Sequence, residues 1–217
     1  MGMKTILCYG DSNTWGADPA TGGRFDRFTR WAGVMRGILN ADCPPSDPEY
    51  WVVEEGQNGR TTCRDDPVEP GRNGLAYIQT ILESHKPLDL VIVFLGTNDL
   101  KVRFAPTAQD IARGAQRVVA AAQNSGTGID GKAPKTLMIV PAPVARLSYF
   151  KETFAGSEEI SKKLAARYRQ YAAEIGSEFL DAGSVIVSSD LDGIHLDRDQ
   201  HKKLGEAIAE KVKTMLG

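Results

Sequence analysis

The segment Gly10-Asp11-Ser12-Asn13-Thr14-Trp15-Gly16 sets a serine just after the apolar run Thr5-Ile6-Leu7-Cys8-Tyr9. Near the other end of the chain, Asp192-Gly193-Ile194-His195 sets a carboxylate three residues before a histidine. A serine hydroxyl is a poor nucleophile at neutral pH. It attacks a carbonyl only when a neutral imidazole within hydrogen-bond reach takes its proton and a carboxylate orients that imidazole. On a turn, Asp192 can hold Nδ1–H of His195 while Nε2 faces Ser12. These residue types point to acyl transfer through a serine nucleophile.

Only three histidines compete for the role of base. His85 ends a helical segment before Pro87, where a basic side chain is expected to meet the last helix carbonyls. His201 stands beside Lys202 and Lys203 and is expected to be solvated. His195, in a loop, is left as the base. The transition state also needs donors for its oxyanion. Ser12 offers its own N–H, Gly59 a backbone N–H that no side chain screens, and Asn98, in Gly96-Thr97-Asn98-Asp99, its side-chain amide. Asp11 and Asp99 have no companion histidine cluster. They read as carboxylates that bond backbone amides and fix loops, and neither metal nor cofactor is expected.

These groups need a frame. Lys4–Tyr9, Tyr50–Glu55, Leu88–Leu95, Thr136–Val140 and Glu178–Asp181 read as strands, the third almost wholly apolar, as a parallel strand buried on both faces should be. Between them, Arg27–Asn40, Gly74–His85, Thr107–Gln123, Ser157–Ile175 and Arg198–Leu216 have helical periodicity, with Ser157 expected as an N-cap. Five strands interleaved with helices predict an α/β fold, a five-stranded parallel sheet covered on both faces in one domain spanning residues 1–217. Ligands of such sheets bind beyond the carboxyl ends of the strands. The loops expected there are 10–24, 56–66, 96–106 and 141–156.

Composition narrows the partners. The 217 residues carry 26 Lys plus Arg against 28 Asp plus Glu, a net charge of −2 with no basic run, so neither nucleic acid nor a membrane surface is expected as a partner. No segment reaches the roughly 18 apolar residues of a membrane span, and the first apolar run is too short for a secretory signal. Cys8, Cys43 and Cys63 are an odd set without metal-like spacing. They read as free thiols in a cytoplasmic protein.

Taken together, Gly10-Asp11-Ser12, Gly59, Gly96-x-Asn98-Asp99 and Asp192-x-x-His195 resemble, in order, the four blocks of the SGNH (GDSL-type) hydrolases. Glu54-Glu55-Gly56-x-x-x-Arg60-Thr61-Thr62, Gly-Thr-Asn-Asp-Leu-Lys and Asp-Gly-Ile-His-Leu are similar to its arylesterase and acyltransferase (perhydrolase-like) branch. The resemblance implies a flavodoxin-like three-layer α/β/α sandwich. It also implies catalytic Ser12, Asp192 and His195, and an oxyanion hole of Ser12, Gly59 and Asn98. Self-association into an oligomer whose neighbours narrow the entrance follows from the same source. Asn13 stands where these proteins usually have an apolar residue, and Asn58-Gly59 where a known acyltransferase has Ser-Ala. Hydrolysis of short-chain esters, aryl and alkyl acetates, is therefore the expected activity, with acyl transfer or perhydrolysis beside it. A carbohydrate O-acetyl esterase is the nearest alternative.

A small ester needs a pocket, and Trp15, Asn13, Asn58, Phe150, Phe154 and Ile194 are its expected lining. Trp31 and Phe104 fall near the same loop edge, although the helical face carrying Trp31 favours core packing. Tyr149, Phe150 and Phe154 are also candidates for an exposed apolar patch. The Gly-x-Ser-x-Gly elbow of the α/β-hydrolases is absent. A non-catalytic flavodoxin-like binding module is opposed by Asp11, which would repel an anion from the first loop.

Overall fold

Side chains along the first strand alternate between two dry faces: Ile6 and Cys8 point one way, Leu7 and Tyr9 the other. Both faces must therefore be covered, and the chain covers them with helices. The computed structural model describes residues 2–217. Its elements run β1 (Lys4–Gly10), α1 (Ser12–Trp15), α2 (Trp31–Leu39), β2 (Tyr50–Gly56), α3 (Gly74–His85), β3 (Leu90–Phe94), α4 (Ala108–Gln123), β4 (Lys135–Val140), α5 (Ser157–Ser161), α6 (Leu164–Glu174), β5 (Glu178–Asp181) and α7 (Arg198–Leu216). All strand pairs are parallel, in the order β2-β1-β3-β4-β5.

Trp31 and Met35 of α2 and Leu204, Ile208 and Val212 of α7 close one face over Ile6, Ile92 and Ile139. Ile78 of α3, Val118 of α4 and Tyr168 of α6 close the other over Leu7, Val93 and Met138. Each such aliphatic side chain contributes about 1.5–3 kcal/mol by leaving water. This is the three-layer α/β/α sandwich expected from the pattern of strands and helices. Because β1 connects to β2 on one side and lies beside β3 on the other, the loops leaving β1 and β3 part at their carboxyl ends and open a crevice.

Several elements depart from their expected bounds, each for a local reason. The helix expected at Arg27–Asn40 starts only at Trp31, because the Asp26 carboxylate accepts the N–H groups of Phe28 and Thr29 and holds them in a turn. The long helix expected over Ser157–Ile175 breaks into α5 and α6. Ser161 donates its hydroxyl to the Glu158 carbonyl and accepts the N–H of Val144, which draws the helix end into the neighbouring loop. Ser157 is not the cap. Gly156 takes that position with φ +79, and the Ser157 side chain is buried. The central strand is shorter than expected, since Leu88 pairs with the 127–128 turn and the Leu95 carbonyl accepts the Tyr168 hydroxyl. His85 does not meet helix carbonyls; its Nε2 lies 2.8 Å from Glu55 Oε1 on β2.

His201, expected in solvent, is fully buried. It lies on the inward face of α7, where Nδ1 accepts the Trp31 backbone N–H at 3.3 Å and the ring meets Phe25 edge-on. Burial, with smaller contributions from the charges of Arg30 and His195, pushes its pKa down to about 4. Between that value and the ordinary 6.5 the unfolded chain binds a proton that the native state refuses. The stability it supplies is complete above about pH 6.5 and is lost as pH falls, by up to ~1.4 kcal/mol per pH unit. In urea titrations, the advantage of wild type over His201→Gln should shrink between pH 7 and pH 5. A gap that stays constant with pH would contradict the buried neutral imidazole.

Candidate active site

β1 ends at Gly10, and the chain turns at once into the single-turn helix α1 with Ser12 as its first residue. Asp11 makes that turn by accepting the Asn13 N–H on its carboxylate at 2.9 Å. The α1 turn lies directly against the end of β2. A Cβ added to Gly56 would fall 2.1 Å from the Trp15 nitrogen, so a glycine is required there.

The other half of the site is the loop before α7. Asp192 Oδ1 accepts the N–H groups of both Ile194 and His195 at 2.9 Å, which folds residues 192–195 into a turn. Its Oδ2 lies 2.6 Å from His195 Nδ1, and His195 Nε2 lies 2.9 Å from Ser12 Oγ. Burial by itself raises the Asp192 carboxyl. The bond and charge of the His195 ring and the two turn amides outweigh it, and the group titrates below the usual carboxylate range. A carboxylate that stays ionised, an imidazole and a hydroxyl thus form one hydrogen-bonded chain. Such a chain can strip the proton from Ser12 as its oxygen attacks a carbonyl.

Asn13, expected to line the pocket, does not. It is buried and donates its Nδ2–H to the Ile194 carbonyl at 3.1 Å, which ties the serine helix to the histidine loop. Asn98 follows β3 in a one-turn 3-10 helix (Asn98–Leu100) and donates its Nδ2–H to Asp11 Oδ2 at 3.4 Å. An amide nitrogen carries two hydrogens, so this bond orients Asn98 and leaves a second N–H for the cavity. Asp99 accepts the Thr62 N–H and hydroxyl at 2.8 and 2.6 Å, joining the third loop to the second. Both aspartates therefore fix loops through backbone amides, as expected.

Burial pushes Asp11 up to about 6, against the lowering effect of the Asn13 amide, His195 and Arg60. Burial also pushes Asp99 up to about 6, against Thr62 and Arg64, with the charge of Asp11 adding to the rise. Arg60 is a structural member of the site to which the sequence assigned no role. Its guanidinium stacks 4.1 Å over the Tyr9 ring and donates to the carbonyls of Gly10 and Glu55, clamping the ends of β1 and β2.

Ser12, His195, Gly59 and Asn98 share the wall of one cavity of about 460 Å³. Trp15, Asn58, Phe150, Phe154 and Ile194 also line it. Phe150 sits edge-on to the His195 ring with centroids 5.9 Å apart, and Phe154 meets Phe150 at the same distance. Phe154 is buried; of the expected apolar patch only Tyr149 is exposed. Trp31 is core, packed edge-on to Phe94, and Phe104 is not in the cavity lining; the guanidinium groups of Arg64 and Arg103 lie 5.9 and 5.8 Å from its ring centre. Glu69, Lys101 and Arg103 line the same cavity, although the sequence assigned them no role there. Lys101 closes the Gly-Thr-Asn-Asp-Leu-Lys block, but its pairing with Glu69 is made by the fold alone.

The parallel sheet and the crevice at its carboxyl edge are those of the SGNH-type sandwich. A profile of the GDSL-like lipase/acylhydrolase family matches residues 8–203, and the chain belongs to that family. Among solved structures it is similar to the aryl esterase of M. smegmatis, at 41% identity and a TM-score of 0.90 over 98% of this chain and 100% of the other. It is also similar to a carbohydrate acetylesterase from Sinorhizobium meliloti, at 38% identity and a TM-score of 0.91 over 98% and 100% of the two chains. A lipolytic G-D-S-L family member from Veillonella parvula, 16% identical with a TM-score of 0.63 over 98% and 100%, shares the fold. No match was found among curated proteins.

The Asn13 tether makes a testable statement about stability. Asn13→Ala leaves the buried Ile194 carbonyl without its donor and should cost about 1–3 kcal/mol in urea unfolding. An unchanged midpoint would show that the tether holds nothing.

Proposed function

We propose that this protein is a serine esterase that hydrolyses short-chain carboxylic esters, aryl and alkyl acetates among them. The observation that carries the reading is the continuous chain from Asp192 Oδ2 through both nitrogens of His195 to Ser12 Oγ, at 2.6 and 2.9 Å, opening on the cavity. Ser12 Oγ attacks the ester carbonyl while His195 Nε2 takes its proton. The Ser12 and Gly59 N–H groups and Asn98 Nδ2 receive the oxyanion. His195 returns the proton to the departing alcohol or phenol, and an acyl-enzyme remains on Ser12. Water then attacks the acyl carbon, again with His195 as base, and frees the acid. The aromatic wall of Phe150 and Phe154 suits a small apolar acyl or aryl group. Acyl transfer to an alcohol or to peroxide would follow whenever either replaces water in the second half.

A second reading, a carbohydrate O-acetyl esterase, is favoured by the polar side chains Asn58, Glu69, Lys101 and Arg103 in the cavity lining and by the likeness to the Sinorhizobium meliloti enzyme. Comparing kcat/KM for acetylated xylo-oligosaccharides and phenyl acetate separates the two. A cytoplasmic location and self-association belong to the same proposal. They are supported by Cys8, Cys43 and Cys63, unbridged among the described residues, and by exposed Phe28 and Tyr149. No helix among the described residues is long and apolar enough to cross a membrane.

On p-nitrophenyl acetate, Ser12→Ala should lower kcat by about 10³-fold or more and abolish labelling by a fluorophosphonate probe. Wild-type turnover in that variant would remove Ser12 from the mechanism. Asn98→Ala should lower kcat by about 10²–10³-fold while Ser12 is still labelled. An unchanged kcat would take Asn98 out of the oxyanion hole.

A further inference from the structure

Asp11 is buried, and its two carboxylate oxygens face different partners. Oδ1 accepts the Asn13 N–H at 2.9 Å and makes the serine turn, whereas Oδ2 accepts Asn98 Nδ2–H at 3.4 Å. The second bond crosses from the loop after β1 to the loop after β3. Among the described residues it is the one hydrogen bond that the Asn98 side chain makes. Nothing else there tells the nitrogen of that amide from its oxygen.

Turning the amide over about Cβ–Cγ puts a carbonyl oxygen where the NH₂ group stood, at almost no change in shape. An ionised carboxylate only accepts, so it holds the nitrogen toward itself and keeps the second N–H for the cavity. A protonated Asp11 has a hydroxyl to donate, and the Asn98 oxygen then becomes its better partner. In that orientation a lone pair replaces the N–H that would receive the oxyanion.

We infer that Asp11, in its ionised form, is a positioning residue of the oxyanion hole, acting through Asn98, and that protonating it disarms the hole. The inference rests on the ester-hydrolase reading. The charged and titratable groups around Asp11 are His195 before α7, Arg60 after β2, Asp99 after β3 and Tyr168 on α6. Burial outweighs the Asn13 amide, His195 and Arg60 and brings Asp11 up to about 6, while Asp11 and Asp99 oppose each other's charge. Tyr168 stays a neutral phenol that donates to the Leu95 carbonyl. As pH falls, two protons therefore stop the reaction, one on His195 Nε2 and one on Asp11.

Asp11→Asn tests this by one atom. The oxygen it keeps still accepts the Asn13 N–H, so the serine turn stays, while an NH₂ group in place of Oδ2 faces Asn98 as a donor. On p-nitrophenyl acetate above neutral pH, kcat should fall about 10²-fold. Made in Asn98→Ala, the same change should cost less than about threefold, because the group it acts through is gone. If the two losses multiply, Asp11 acts on the serine turn alone and the inference is overturned, while the esterase reading stands. The acid limb gives a second readout that does not depend on the folding of Asp11→Asn. Log kcat/KM should fall with a limiting slope of about 2 in wild type and about 1 in Asn98→Ala. A slope of about 1 in both would show that Asp11 need not be ionised, and would also overturn the inference. If wild type does not hydrolyse the ester at all, the esterase reading falls and this inference falls with it.

Discussion

A buried carboxylate that has to stay ionised is the constraint on which the site is built. Asp192 is withdrawn from water, which by itself would favour its protonated form. The turn that contains it supplies two backbone N–H groups and the His195 ring a third donor, and together they hold the charge. The same three bonds define the shape of the turn. The conformation that aims His195 Nε2 at Ser12 is thus the one in which the Asp192 charge is satisfied. Rotating the imidazole away would leave a buried anion short of a donor.

The remaining tethers bring the serine to meet that imidazole. Asn13 ties the first turn after β1 to the Ile194 carbonyl, and Asp11 joins the same turn to Asn98 after β3. Arg60 clamps the ends of β1 and β2, and Asp99 draws the second loop to the third. Most of these contacts join loops that leave different strands, so the parallel sheet serves as a rigid base from which separate loops lean together. The tethers are polar and buried, which makes each one costly to lose. Asp11 and Asp99 share one neighbourhood as two carboxylates that burial has raised, so the site concentrates charge that the rest of the fold must keep dry and bonded.

The cavity built on this frame is lined by two unlike sets of side chains. One is aromatic and meets the imidazole through Phe150; the other is Glu69, Lys101 and Arg103, the two cations paired with both Glu69 and Asp66.

Much of this was legible in the residues alone. The apolar runs of the first, third and fourth strand segments called for a sheet with two covered faces, since strands with no polar face cannot be left open to water. The only serine directly behind the first strand, and the only histidine with a carboxylate three residues before it, marked their own roles. Elsewhere local pattern misled. His201 sits among lysines yet points inward, Asn13 turned from the pocket to the histidine loop, and Ser161 broke a helix by bonding a distant amide. The ion-pair cluster of Asp66, Glu69, Lys101 and Arg103 could not be read, because its partners come from loops that follow different strands. Periodicity and motif are properties of neighbours along the chain and determine which elements form. Which side chains face each other across a crevice depends on packing between remote segments, and only the tertiary structure decides that.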